Sequence, residues 1–132
     1  MKKILLCTHG EFAIGIKNSV DVIVGSSENV YTLCVSMEDS IDTVKEKIEK
    51  FTNGFEDCDE KIIMTDIPGG STTQASFYFI SNEKNVHVVT GLNLGLLLEI
   101  LLSQEENIQD LIRNSISLGK DTMQYLNDAF VF

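Results

Sequence analysis

The sequence predicts an α/β fold, a three-layer αβα domain built on a mainly parallel sheet, and three observations carry that prediction. Short apolar, β-branched runs of strand length lie at 4–10, 29–35, 61–66 and 86–90. Segments with apolar side chains at three- and four-residue steps separate them, and glycine, asparagine or aspartate marks most junctions. Strands joined through helices must be parallel, and such strands are buried on both faces. Right-handed crossovers on both faces give the strand order 2-1-3-4, with the carboxyl ends of strands one and three side by side where the chain reverses direction across the sheet. The 132 residues read as one domain, able to bury about two thirds of its unfolded surface.

Each element has its own justification. Residues 4–10, ILLCTHG, rise as an apolar strand and stop at Thr8-His9-Gly10. Phe12, Ile16, Val20 and Ile23 then fall at roughly helical spacing, so His9 is expected at the end of a central strand, in a tight turn into a helix. A Gly-Ser-Ser turn at 25–27 leads to the second strand, 29–35 (NVYTLCV). Ile41, Val44, Ile48 and Phe51 mark an amphipathic helix over about 39–52, capped by Asp39 or Ser40 and closed by Asn53-Gly54. The acidic run 56–60 (EDCDE) reads as a solvated loop, because its spacing is not that of a calcium loop.

The third strand, 61–66, ends at Asp66 and runs into Ile67-Pro68-Gly69-Gly70, a tight loop with the only proline of the chain. Ser71 followed by Gln74 has the form of a capping box, so a helix is expected from Ser71 to about residue 80. After a turn at 82–85 and a fourth strand at 86–90, Gly91-Leu92-Asn93 opens an apolar helix over 94–103. A last amphipathic helix, about 107–118, turns Ile108, Leu111, Ile112 and Ile116 inward, with Gly119 expected to stop it. The tail, 121–126, reads as a short edge strand or as a frayed helix.

Composition narrows the function. A net charge of −10 repels nucleic acid and anionic membranes, and suits solubility or a partner protein with a basic face. There is neither a signal peptide pattern nor an apolar run long enough to span a bilayer, so a cytoplasmic protein is expected. Cys7, Cys34 and Cys58 lack the spacing of a disulfide framework or a zinc site and are expected to be reduced. A metal at Cys7, His9 and Asp66 would require a broken strand, and no cofactor motif is present: G-x-G-x-x-G and the nucleoside triphosphate loop are both missing.

What remains is the convergence of His9 with Asp66 and the glycine loop. A carboxylate at Asp66 accepting the Nδ1 proton of His9 would fix the tautomer and leave Nε2 as the nucleophile. The Gly69-Gly70-Ser71 loop and the helix start it opens, through Thr72, would present N–H groups to an anion without any lysine. A phosphoryl group on His9 fits that cradle. A Ser71–His9–Asp66 hydrolytic triad fits less well, since the serine lacks a G-x-S-x-G elbow. His87 lies within a strand, away from this edge, and reads as structural.

At these residues the chain resembles the IIA component of the mannose-type (mannose/fructose/sorbose) sugar phosphotransferase system. The resemblance rests on THGEFAIG at 8–15, SVDVIVG at 19–25, DIPGGS at 66–71 and GLNL at 91–94. It implies that His9 carries the phosphoryl group, Asp66 orients it and Ser71 binds the phosphate. It further implies a histidine-containing phosphocarrier protein as donor, a IIB component as acceptor, an indirect link to a membrane sugar permease, and a homodimer with its last strand exchanged. Because the chain ends at Phe132, the IIB acceptor is expected on a separate polypeptide. Two departures stand out: Thr72-Thr73 where the family usually has Pro-Phe, and Gly95 where it has Pro. The phosphotransfer subunit of dihydroxyacetone kinase shares the fold and the histidine position and is an alternative reading, as is a non-catalytic regulatory module of the same fold.

Overall fold

A computed structural model describes residues 1–129. Its strands are β1 (Lys2–His9), β2 (Val30–Val35), β3 (Glu60–Thr65) and β4 (Val86–Thr90), all parallel, in the order β2-β1-β3-β4 that the sequence predicts. The chain divides into two compact units, residues 1–92 and the segment from Asn93 on.

Register in the first unit decides where the site forms. Ile4 pairs with Ile62 and Cys7 with Thr65, so Asp66, one residue beyond β3, comes level with the last residues of β1. Leu5, Cys7, Ile63 and Val86 face α2 (Ile41–Thr52) and α3 (Ser71–Asn82), which contribute Val44, Ile48, Ala75 and Phe79 to a common core. Each valine, leucine, isoleucine or phenylalanine among them contributes roughly 1.5–3 kcal/mol by leaving water. Ile4, Leu6 and Thr8 alternate to the other face, toward α1 (Phe12–Val24).

Thr8 sets the entry of α1. Its hydroxyl accepts the Ala13 N–H at 2.9 Å, whereas Glu11 at the N-cap position makes no side-chain bond. The turn itself uses Gly10 at φ +60, a left-handed conformation that suits glycine. The helix started in this way buries Ala13, Ile16 and Val20. Phe12 and Ile23, which share the helical spacing of Ile16 and Val20, are exposed.

At α2 the choice of cap falls to Ser40, whose oxygen accepts the Thr43 N–H at 3.1 Å. Asp39 instead closes the preceding turn: the Ser36 N–H and then the Lys47 ammonium, each at 2.9 Å, hold its carboxyl down to about 2. The acidic loop is closed on a lysine, since the buried Lys61 donates through Nζ to the carbonyls of Asp59 at 3.0 Å and Glu56 at 3.4 Å.

The second unit pairs α4 (Leu94–Leu102) with α5 (Ile108–Lys120). Asn93 and Asn107 cap them, accepting the N–H groups of Leu96 at 2.9 Å and Asp110 at 3.0 Å. Gly119 does not stop α5, which runs on to Lys120. A Cβ at Gly119 would lie 3.0 Å from Leu96 Cβ, so this glycine lets two helices approach closely. At Gly95 a Cβ would come 2.5 Å from Cγ2 of Thr122, in the turn that follows α5.

The expected edge strand in the tail is corrected. Residues 121–125 form a turn and coil, and Leu126–Ala129 is one turn of 3-10 helix. A strand requires a neighbouring edge for its backbone groups, and here they close locally, with Asp128 N–H donating to the Tyr125 carbonyl at 3.0 Å. Met123, Tyr125 and Leu126 are left exposed. Among the described residues, no helix is long and apolar enough to cross a membrane, and no group of three or more His, Cys, Asp or Glu is placed to hold a metal ion.

Candidate functional site

Asp66 is the hub of the site because its two oxygens are held from different directions. Oδ2 accepts the His9 backbone N–H at 2.9 Å and lies 2.8 Å from His9 Nδ1. Oδ1 accepts the Thr72 hydroxyl at 2.9 Å and the Ile67 N–H at 3.1 Å. Partial burial pushes the Asp66 carboxyl up, but the hydrogen bonds from His9 backbone and ring and from Thr72 outweigh it, leaving the group below the usual carboxylate range. An ionised carboxylate can only accept, so the proton of a neutral His9 ring is assigned to Nδ1.

Nε2 therefore keeps its lone pair and points at the start of α3. Ser71 Oγ lies 3.3 Å from it. Gly70, the N-cap residue of α3, lies against the imidazole: a Cβ there would come 2.6 Å from Cε1 and 3.2 Å from Nε2. The capping box expected from Ser71 and Gln74 is not formed, because Ser71 is the first helical residue and α3 has no side-chain cap. The serine hydroxyl is thereby left to the imidazole. First-turn N–H groups of a helix have no intrahelical acceptor, and the helix dipole adds partial positive charge at that end.

The site residues named from sequence, His9, Asp66, Gly70, Ser71 and Thr72, come together here, while Gly69 is the exposed neighbour in the loop. Thr72 turns its hydroxyl to Asp66, away from the role in anion binding expected of it, and only its backbone N–H remains for that. The imidazole is 43% exposed, at an open cleft of about 600 Å³ that Ser36, Met37, Glu38 and Ser71 also line. Burial pushes the nearby Cys7 thiol up to about 12, with Asp66 and Cys34 acting in the same direction, so the thiol keeps its proton at neutral pH. Sequence reasoning missed the Thr8 cap, the Thr72–Asp66 bond and the contact of Gly70 with the ring.

A strand-end histidine oriented by a carboxylate and facing a helix N-terminus is the arrangement that the resemblance implies. The family model described as EIIA-man, "PTS system fructose IIA component", where PTS is the phosphotransferase system, matches residues 3–116. The chain belongs to this family. EIIA-man proteins are components of sugar uptake by phosphotransfer, which fixes the broad activity. The chain is 26% identical to the fructose-specific EIIA component of Bacillus subtilis, covering 97% of this chain and 88% of that one. It is 21% identical to the mannose-specific EIIAB component of Escherichia coli, of which it spans 39%. The crystal structure of PTS component EIIA from Streptococcus agalactiae superposes with a TM-score of 0.87 at 27% identity, over 97% of this chain and 99% of that one.

Proposed function

We propose that this EIIA-man chain carries a phosphoryl group on Nε2 of His9, taking it from a histidine-containing phosphocarrier protein and passing it to a IIB component during sugar uptake. The observation that carries the reading is the 2.8 Å contact between His9 Nδ1 and Asp66, which leaves Nε2 unprotonated and facing the start of α3. In the transfer, the donor's N–P bond breaks as the bond from Nε2 to phosphorus forms. No proton has to leave, since Nδ1 keeps its hydrogen, and the positive charge that develops on the ring is balanced by Asp66. The phosphate oxygens would be met by the Ser71 hydroxyl and the N–H groups of Ser71 and Thr72, with Gly69 and Gly70 keeping the loop clear. Exposed Met37 and Ile67 offer the donor an apolar landing beside the ring. Donor and acceptor of this kind place the reaction in the cytoplasm.

Incubation of the full chain with phosphoenolpyruvate and the two general phosphotransfer proteins tests this by intact mass. The expected result is the gain of one phosphoryl group, stable in alkali, lost in acid and absent from His9→Ala. An alkali-labile adduct, or the same gain in His9→Ala, overturns the reading. The exposed Met123, Tyr125 and Leu126 further support a homodimer in which a second copy covers these apolar side chains. Sedimentation of the full chain as a monomer would exclude it.

A further inference from the structure

We propose that Thr72 is a positioning residue for His9 that acts through Asp66: its buried hydroxyl holds one carboxylate oxygen so that the other stays on the imidazole. The inference rests on the reading of His9 as the phosphoryl carrier. It begins with a satisfied donor. Thr72 is fully buried at the second position of α3, and its Oγ1 donates to Asp66 Oδ1 at 2.9 Å. A hydroxyl has one hydrogen, so this donation commits it.

The carboxylate needs such a hold. The last torsion of an aspartate is soft and broad, and a carboxylate gripped by one oxygen alone can turn away from its partner. Oδ2 carries both bonds to His9, at 2.8 and 2.9 Å. On the Oδ1 side, the Ile67 N–H at 3.1 Å belongs to the adjacent residue and moves with the same loop. Thr72 is the group that fixes the carboxylate to α3.

Thr73 holds the loop from its other side. Its Oγ1 donates to the Ile67 carbonyl at 2.6 Å and sits 2.7 Å from Thr65 Oγ1 at the end of β3. Consecutive threonines thus tie the loop at 66–67 to the helix start, one through a carboxylate and one through a carbonyl. The orienting carboxylate and the N-terminus that faces Nε2 are then one rigid piece, which keeps the nucleophile aligned with the place where phosphate oxygens would be bound. Thr72-Thr73 is where the sequence departs from Pro-Phe, and a proline at position 72 has no hydroxyl to offer.

The test compares Thr72→Val, which keeps the shape and loses the donor, with Thr72→Ser, which keeps the donor. Two readouts are taken on the full chain. The first is the imidazole ¹⁵N spectrum of the unphosphorylated protein at a pH where the ring is neutral, which reports the share of the Nδ1–H tautomer. The second is the initial rate of phosphorylation by phosphoenolpyruvate and the general phosphotransfer proteins. Wild type and Thr72→Ser are expected to be predominantly Nδ1–H. Thr72→Val should show a mixture of tautomers and a rate about tenfold lower, the loss expected for one hydrogen bond to a charged group, with most of the rate recovered in Thr72→Ser.

A Thr72→Val protein with the wild-type tautomer distribution overturns the proposal whatever its rate, since slowing alone would then reflect general damage. If valine prevents folding, Thr72→Ala is read by the same spectrum and the same criterion. Wild type that takes up no phosphoryl group refutes the carrier reading, while the tautomer shift still decides whether Thr72 orients the ring.

Discussion

His9 Nδ1 lies 2.8 Å from Asp66 Oδ2 and His87 Nε2 lies 2.7 Å from Glu60 Oε2, so both histidines of the chain have a carboxylate partner at nearly the same distance. They differ in everything around that contact. His9 ends β1 at the carboxyl edge of the sheet, is 43% exposed, and turns its second ring nitrogen toward Gly70, Ser71 and the start of a helix. His87 lies inside β4 near the amino edge, is 20% exposed, and forms a diagonal cross-strand pair with the first residue of β3. A histidine–carboxylate pair is thus not a site in itself. What the other nitrogen meets decides whether the pair orients a nucleophile or fastens two strands.

Replacing each ring in turn breaks the comparison most sharply. His9→Gln should lose phosphoryl uptake completely, and His87→Gln should retain it, as read by intact mass after incubation with the donor system. Uptake surviving in His9→Gln, or lost in a folded His87→Gln protein, would reverse the two assignments.

Asp66→Asn comes next, at roughly a hundredfold in the rate of transfer measured by rapid quench, because an amide cannot balance the charge that develops on the ring. The acid response follows from the direction of the Asp66 shift. Its carboxyl is depressed below the ordinary 3.8 in the folded protein, so its stabilising hold is fully present above that value and is lost as pH falls through the lower folded value. The difference in unfolding free energy between wild type and Asp66→Asn should therefore be constant at neutral pH and shrink only below about pH 4. A difference that has already vanished at neutral pH would make the carboxylate dispensable.

Gly70→Ala should cost somewhat less, about tenfold to a hundredfold in rate, as a displacement of order 1 Å misaligns a nucleophile. The new methyl would stand 2.6 Å from a ring that Asp66 prevents from swinging away, whereas a Cβ at Gly69 meets nothing within 4 Å. Gly69→Ala should accordingly be the milder substitution, and equal losses at both positions would mean that backbone conformation, not contact with the ring, sets the effect.

This pattern shows what the sequence can carry. The sheet order was legible because four apolar runs alternate with helical periodicity, and handedness then leaves one natural arrangement. His9 and Asp66 were legible as the ends of strands that this order makes adjacent. Contacts running through space were not. Thr72 reads as a helix-start residue until α3 is placed, and only then does its hydroxyl reach Asp66. Ser71 fits a capping-box pattern, but the chain puts Gly70 at the cap and spends the serine on the imidazole. Gly119 looks like a helix stop, and only the closeness of Leu96 explains it as packing. Phe12 and Ile23 share the helical spacing of Ile16 and Val20, which marks a helix but not which of its residues are buried, and both are exposed. The tail illustrates a different limit, because a strand is a property of two edges, and here the backbone closes locally in a 3-10 turn.

The smallest effect belongs to His87 and is the most discriminating for the comparison. Its side chain and that of Glu60 are 20% and 28% exposed, so their attraction is screened by water and partly offset by the entropy of holding both side chains. A cycle of His87→Gln, Glu60→Gln and the double variant, followed by denaturant unfolding, should give a coupling of about 0.2–1 kcal/mol, typical of a cross-strand pair. The rate of phosphoryl transfer should be the same in all of these variants, because no step of the transfer uses the amino edge of the sheet. A coupling of several kcal/mol would show that this pair holds more than two strands together, and a change in rate would mean that it reaches His9 through β3, making the two histidines parts of one device.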